Sequence, residues 1–145
     1  MKKRILSLIL ALSMVLSVLP LGAFAEGSNQ ELVMKNGYPV SASGSGWSYD
    51  AHMKKLTLTS GPFDFSSTHP QGDGEKTTTP VLCEIEISSM ATITGGTFTG
   101  TVTNSGTIND GTFNGTVKNN RGINSGTFNE TVTNEGTITG GTLKP

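Results

Sequence analysis

From residue 96 onward, apolar residues recur at one fixed interval. Residues 96–110 read GTFTGTVTNSGTIND, 111–125 read GTFNGTVKNNRGINS, 126–140 read GTFNETVTNEGTITG, and 141–145 open a further copy. Residues 81–95 fit one period earlier as a degenerate copy. Three apolar columns result: Cys83, Phe98, Phe113, Phe128 and Leu143; Ile87, Val102, Val117 and Val132; Ile93, Ile108, Ile123 and Ile138. Within a copy these residues lie four, six and five positions apart, with Gly or Asn between them. No helical stripe is sustained by that spacing. Thr flanks most of them, as in Thr97-Phe98-Thr99. Such a triplet is a short strand with one side chain inward and two outward. Gly and Asn supply the corners, because they accept left-handed backbone angles at low cost.

One short strand cannot bury its apolar side chain alone. Stacking equivalent coils turns each column into an internal ladder and pairs backbone groups with the coils above and below, about 4.8 Å apart. The sequence therefore predicts an all-β fold: a parallel β-solenoid of about four 15-residue coils, right-handed as parallel crossovers are. The coils fall at 81–95, 96–110, 111–125 and 126–140, with a partial copy at 141–145. Three short sides per coil fit the pattern, and two sides with a longer arc fit it as well. Asn104, Asn119 and Asn134 recur at one corner. A polar ligand array would use such a column, but stacked amides satisfying one another and the turn backbone are the commoner outcome.

Residues 26–80 lack the period. Leu32-Val33-Met34, Lys35-Asn36-Gly37 and Tyr38-Pro39-Val40 read as a hairpin with an Asn-Gly turn. Trp47-Ser48-Tyr49-Asp50 and Leu56-Thr57-Leu58-Thr59 read as two more strands, and Ser66 to Pro80 as a surface loop. The whole is expected to be a β module capping the first coil, since an open coil edge invites pairing with other chains.

The N-terminus is of another kind. Lys2, Lys3 and Arg4 precede an apolar stretch from Ile5 to Leu21, and Ala23-Phe24-Ala25 supplies an A-x-A cleavage pattern. Residues 1–25 read as a secretory signal peptide; the stretch is short for a permanent anchor. The chain is expected to be secreted or associated with the cell surface, with no stable membrane span after cleavage. With 10 Lys+Arg against 11 Asp+Glu and no basic run, nucleic acid is not an expected partner. The single cysteine, Cys83, cannot form an internal disulfide. A reactive thiol and a small buried apolar residue are the two readings, and its place in a column favours the second.

The string Gly46-Trp47-Ser48-Tyr49-Asp50 followed by Leu56-Thr57-Leu58 resembles a module in secreted and surface-displayed proteins of Gram-positive gut bacteria. The Gly-Thr-Phe-Asn-Gly-Thr-Val and Gly-Thr-Ile-Thr-Gly-Gly strings resemble the repeats of the same group. The resemblance implies β-solenoid, adhesin-like or carbohydrate-binding-like proteins.

Catalytic chemistry has little to stand on. His52 and His69 lie in separate loops without metal-spaced partners. Glu84 and Glu86 alternate with Ile85 and Ile87, as a solvated strand face does. Asp73-Gly74-Glu75 lacks the ligand count of a calcium loop. No catalytic residue, metal or cofactor is expected, and the chain reads as non-enzymatic. The leading expectation is an exported structural or adhesive surface module. A carbohydrate-binding module is the first alternative, with Tyr38, Trp47 and Tyr49 as candidate stacking residues, and a fragment of a longer surface protein is the second. Ice binding through Thr-x-Thr rows is disfavoured by Asn114, Lys118, Arg121, Asn124 and Asn129. Expected partners are extracellular or cell-wall glycans or other surface proteins, with end-to-end self-association through the C-terminal coil.

Overall fold

The computed structural model describes residues 30–144; the expected signal peptide lies outside them. These residues contain strands, turns and loops, and no helix long and apolar enough to cross a membrane. The chain enters through β1 (Met34–Lys35) and β2 (Tyr38–Pro39), an antiparallel pair joined by the expected Asn36-Gly37 turn. Both turn residues have positive φ, 52° and 84°, which is the two-residue geometry whose twist matches that of the strands. Strands β3 (Ser43–Gly44) and β4 (Trp47–Asp50) pair antiparallel, and β4 pairs antiparallel with β5 (Lys55–Asp64). Gly44 permits the cap to close: a Cβ there would stand 1.9 Å from the Gln30 carbonyl and 2.5 Å from the Trp47 indole nitrogen.

Strand β5 changes the direction of pairing. It runs parallel to β6 (Glu84–Gly95), with Leu56 beside Ile85, Leu58 beside Ile87 and Phe63 beside Ile93. Residues 55–65 are thus already a rung of the stack, while antiparallel β4 closes it. The insert 66–80 then leaves the stack and returns. It is tied down by Thr68 N–H to Glu75 O (2.9 Å), Thr77 N–H to Ser66 O (2.8 Å) and a Ser67–Lys76 bridge. Gln71 joins it to the entering chain, accepting from Leu32 N–H at 2.9 Å and donating to Ser45 O at 2.5 Å.

Beyond β6 each coil contributes three strands. These are β7 (Thr97–Phe98), β8 (Val102–Asn104) and β9 (Thr107–Ile108); then β10 (Thr112–Phe113), β11 (Val117–Asn119) and β12 (Gly122–Ile123); then β13 (Thr127–Phe128), β14 (Val132–Asn134) and β15 (Thr137–Ile138). A last strand, β16 (Thr142–Leu143), opens the next lap. From β7 on, each strand pairs parallel with its counterpart one period away: Phe113 with Phe98 and Phe128, Val117 with Val102 and Val132, Ile123 with Ile108 and Ile138. The fold is the expected parallel β-solenoid of about four turns. The corner before each Thr-Phe pair needs glycine, since Gly96, Gly111, Gly126 and Gly141 all have φ between 113° and 147°.

The interior is continuous. The rings of Phe98, Phe113 and Phe128 stack with centroids 4.9 and 5.0 Å apart, and Phe65 meets Phe98 edge-on at 5.4 Å. Phe, Val and Ile of the central coils are shielded from solvent, each contributing about 1.5–3 kcal/mol on full burial. Protection falls at the last coil, where Val132 and Ile138 are half-buried and Leu143 is exposed.

The first coil corrects the expected alignment. Val81, not Cys83, stands beside Phe98, and Ile85, not Ile87, stands beside Val102; Ile87 stands beside Asn104. Only Ile93 keeps its column, beside Ile108. The offset is 17 residues at Ile85 and 15 at Ile93, so two extra residues are absorbed between Ile87 and Thr92.

Candidate functional site

The polar corners are built inward. Asn104 and Asn119 are fully buried. Asn104 Oδ1 accepts from Gly106 N–H at 3.0 Å, and its Nδ2 donates to Asn119 Oδ1 at 2.8 Å and to Gly122 O at 2.9 Å. Asn119 repeats the pattern, donating to Asn134 Oδ1 at 2.7 Å. This column is a satisfied amide ladder, not an array open to ligand. Two further ladders went unremarked in the sequence: Asn124 donates to Asn109 at 2.8 Å, and Asn129 to Asn114 at 2.5 Å. The same 15-residue spacing carries them.

The three aromatic candidates separate. Trp47 is 3% exposed; its ring packs in the core and its Nε1–H donates to Gln30 O at 3.2 Å. It has no free face for a sugar, so it is a cap residue and leaves the candidate set. Tyr38 and Tyr49 are half-buried against the core. Burial raises the Tyr49 phenol above its ordinary value, and neighbouring Cys83, Tyr38 and Asp50 push it the same way. Tyr49 lines a shallow depression of about 220 Å³ with Pro39, Val40 and Ala42.

A more enclosed cavity lies between the β1–β2 turn and the insert. It holds about 180 Å³ and is lined by Met34, Phe65 and Val81 together with Ser67, Thr68, Thr77 and Thr79. Its walls are fixed by Met34 N–H to Thr68 O (2.8 Å) and Leu82 N–H to Gly37 O (3.0 Å). Asp64 anchors the insert beside it, accepting from Lys76 Nζ at 2.5 Å and from Ser66 through the hydroxyl at 2.5 Å and the amide at 3.0 Å. Burial pushes the Asp64 carboxyl up, but these hydrogen bonds outweigh it and hold the group below its ordinary 3.8. A depressed folded-state value stabilises above the unfolded value and is lost as pH falls through the folded one. Acidification below about pH 3.8 is therefore expected to loosen the insert, read as lower amide protection factors at Thr68 and Thr77. The pair is partly exposed, so the effect is under about 1 kcal/mol, and it is smaller in Lys76→Ala, where only Ser66 still donates to Asp64.

The remaining groups stay apart. Among the described residues no cluster of three or more His, Cys, Asp or Glu side chains could hold a metal ion. Asp73 and Glu75 line an open depression with Glu31 and His69, and His52 is exposed on another turn. Glu84 is exposed, and Glu86 pairs with Lys55 across the β5–β6 ladder, where the hydrogen bond to Glu86 raises the Lys55 ammonium above its ordinary value. Cys83 is 1% exposed, and burial pushes its thiol up to about 12. Its thiolate fraction at neutral pH is then far below that of a free thiol. Disulfide reagents at pH 8 are expected to label Cys83 only on unfolding; fast native labelling would contradict its burial.

Fold and ladders together define a class: a capped parallel β-solenoid whose corner amides satisfy one another. No protein-family model, curated protein or solved structure matches the chain.

Proposed function

We propose that the chain is an exported, non-catalytic surface module, structural or adhesive in role, held at or near the cell exterior. The observation that carries this reading is how the polar side chains are used. Asn104, Asn119 and Asn134 hold one another instead of converging on a common reacting centre. The positive leader with its A-x-A site supports export, and the Trp47-Ser48-Tyr49-Asp50 string supports a kinship with Gram-positive surface modules. The partners are extracellular or cell-wall glycans or other surface proteins. Val132, Ile138 and Leu143 offer an apolar edge for end-to-end association, which sedimentation at rising concentration reads directly.

Expression of the whole chain in a Gram-positive host tests the export. The expected product begins at Glu26 and is recovered from medium or wall; an uncut cytoplasmic chain contradicts the reading. Beads coated with that product are expected to adhere to purified wall polysaccharide or mucin more than albumin-coated beads, and equal adhesion would remove the adhesive role. A carbohydrate-binding module is the second reading, favoured by the half-exposed Tyr49 above its apolar depression. A glycan array probed with wild type and Tyr49→Ala checks it.

A further inference from the structure

We propose that the cavity between the β1–β2 turn and the 66–80 insert binds a single pyranose ring. This names a ligand for the carbohydrate-binding reading, but rests on a different surface from the Tyr49 depression. The volume of about 180 Å³ is room for about six waters and falls below the range of pockets for larger ligands. One ring fills it, and any further ring of a longer glycan would lie outside it in solvent.

The lining selects the chemistry. Half-buried Met34 gives the apolar surface, with the covered edges of Phe65 and Val81 closing the floor behind it, which suits the C–H face of a sugar. The polar lining is mainly neutral hydroxyl. Buried Ser67 accepts from His69 N–H at 3.2 Å, and among the described residues its own proton has no acceptor. Thr77 donates to Thr79 at 3.0 Å, which leaves the Thr79 proton free for a ligand. Hydroxyls both donate and accept, so a polyol fringe matches these groups. An aromatic or alkyl ligand would leave the buried Ser67 hydroxyl unpaired, at a cost. A cation would find no carboxylate in the lining, whose single charged residue is Lys35. The walls come from two segments pinned to each other by backbone hydrogen bonds, so the cavity exists before the ligand arrives.

Titration of the folded mature chain with methyl glucoside, methyl galactoside, N-acetylglucosamine and glucuronate, followed by amide NMR, tests this. At least one is expected to bind with a Kd of about 1 mM, the strength reasonable for one small ring. The shifts should be confined to residues 34–37, 67–68 and 77–81. Ser67→Ala is expected to weaken binding about tenfold. Thr79→Val, at a solvent-exposed position, should weaken it too even if Ser67→Ala fails to fold. His52→Ala, on an exposed turn outside the cavity lining, should leave it unchanged. Silence from all four sugars, shifts centred on Tyr49, or full binding by Thr79→Val would overturn the proposal. Shifts centred on Tyr49 would instead support the other glycan surface, and none of these outcomes bears on export.

Discussion

Phe113→Ala is expected to destabilise the chain by about 3–5 kcal/mol, measured by chemical denaturation. Phe113 is fully buried between Phe98 and Phe128, with rings nearly parallel at 13° and 7°. Truncation removes the transfer free energy of the ring and leaves a cavity that two stacked neighbours cannot fill without breaking the 15-residue register. It also forfeits two aromatic contacts, each worth about 0.5–1.5 kcal/mol beyond burial. The column supplies its own control. Leu143 occupies the same position one lap beyond Phe128 and is 54% exposed. Leu143→Ala should change stability by no more than about 0.5 kcal/mol. Equal losses at the two positions would contradict a graded interior.

The second large effect is at Asn119. Asn119→Ala removes a buried amide that accepts from Asn104 and donates to Asn134 Oδ1 and Thr137 O. Each group left unpaired costs about 1–3 kcal/mol, and the Asn104 Nδ2 group keeps only its bond to Gly122 O while Oδ1 still accepts from Gly106 N–H, so a total of about 2–4 kcal/mol is expected. Asn119→Asp separates hydrogen bonding from shape. An ionised carboxylate still accepts from Asn104 but faces the Asn134 and Thr137 oxygens without a donor. Burial and those oxygens raise its folded-state value above the unfolded one. The stabilising contribution is then present below the unfolded value and lost as pH rises through the folded one. Asn119→Asp should therefore approach wild type near pH 3 and fall well below it at pH 7, while Asn119→Ala shows no such trend. A pH-independent Asn119→Asp would refute the ladder.

The coils beyond residue 96 are legible in the chain because each column carries one residue type at an unbroken interval. The first coil is not, for a geometric reason. Val81, Cys83, Ile85 and Ile87 are all buried and alternate with outward residues. A one-residue slip would flip every side chain, but a two-residue slip keeps all of them on the same face. Pattern alone cannot choose between Cys83 and Val81 as the partner of Phe98. The rung at Leu56, Leu58 and Phe63 escapes notice because the insert separates it from its neighbours by 29 to 30 residues, twice the repeat. Trp47 shows a different limit. Its alternation with Ser48 is visible in the sequence, but which face of β4 is covered depends on Leu58 across the strand pair and on Gln30 from the entering chain. The cavity at residues 34–37 and 66–80 is assembled from segments with no shared pattern, so nothing local announces it.

Side-chain NOE spectroscopy of the mature chain reaches the architecture most directly. Rings at positions 98, 113 and 128 should show mutual contacts, accompanied by methyl contacts linking Val102 to Val117 and Ile108 to Ile123. Water-exposed rings with no cross-peaks between residues fifteen apart would mean that the tail of the chain does not wind into laps around a dry centre.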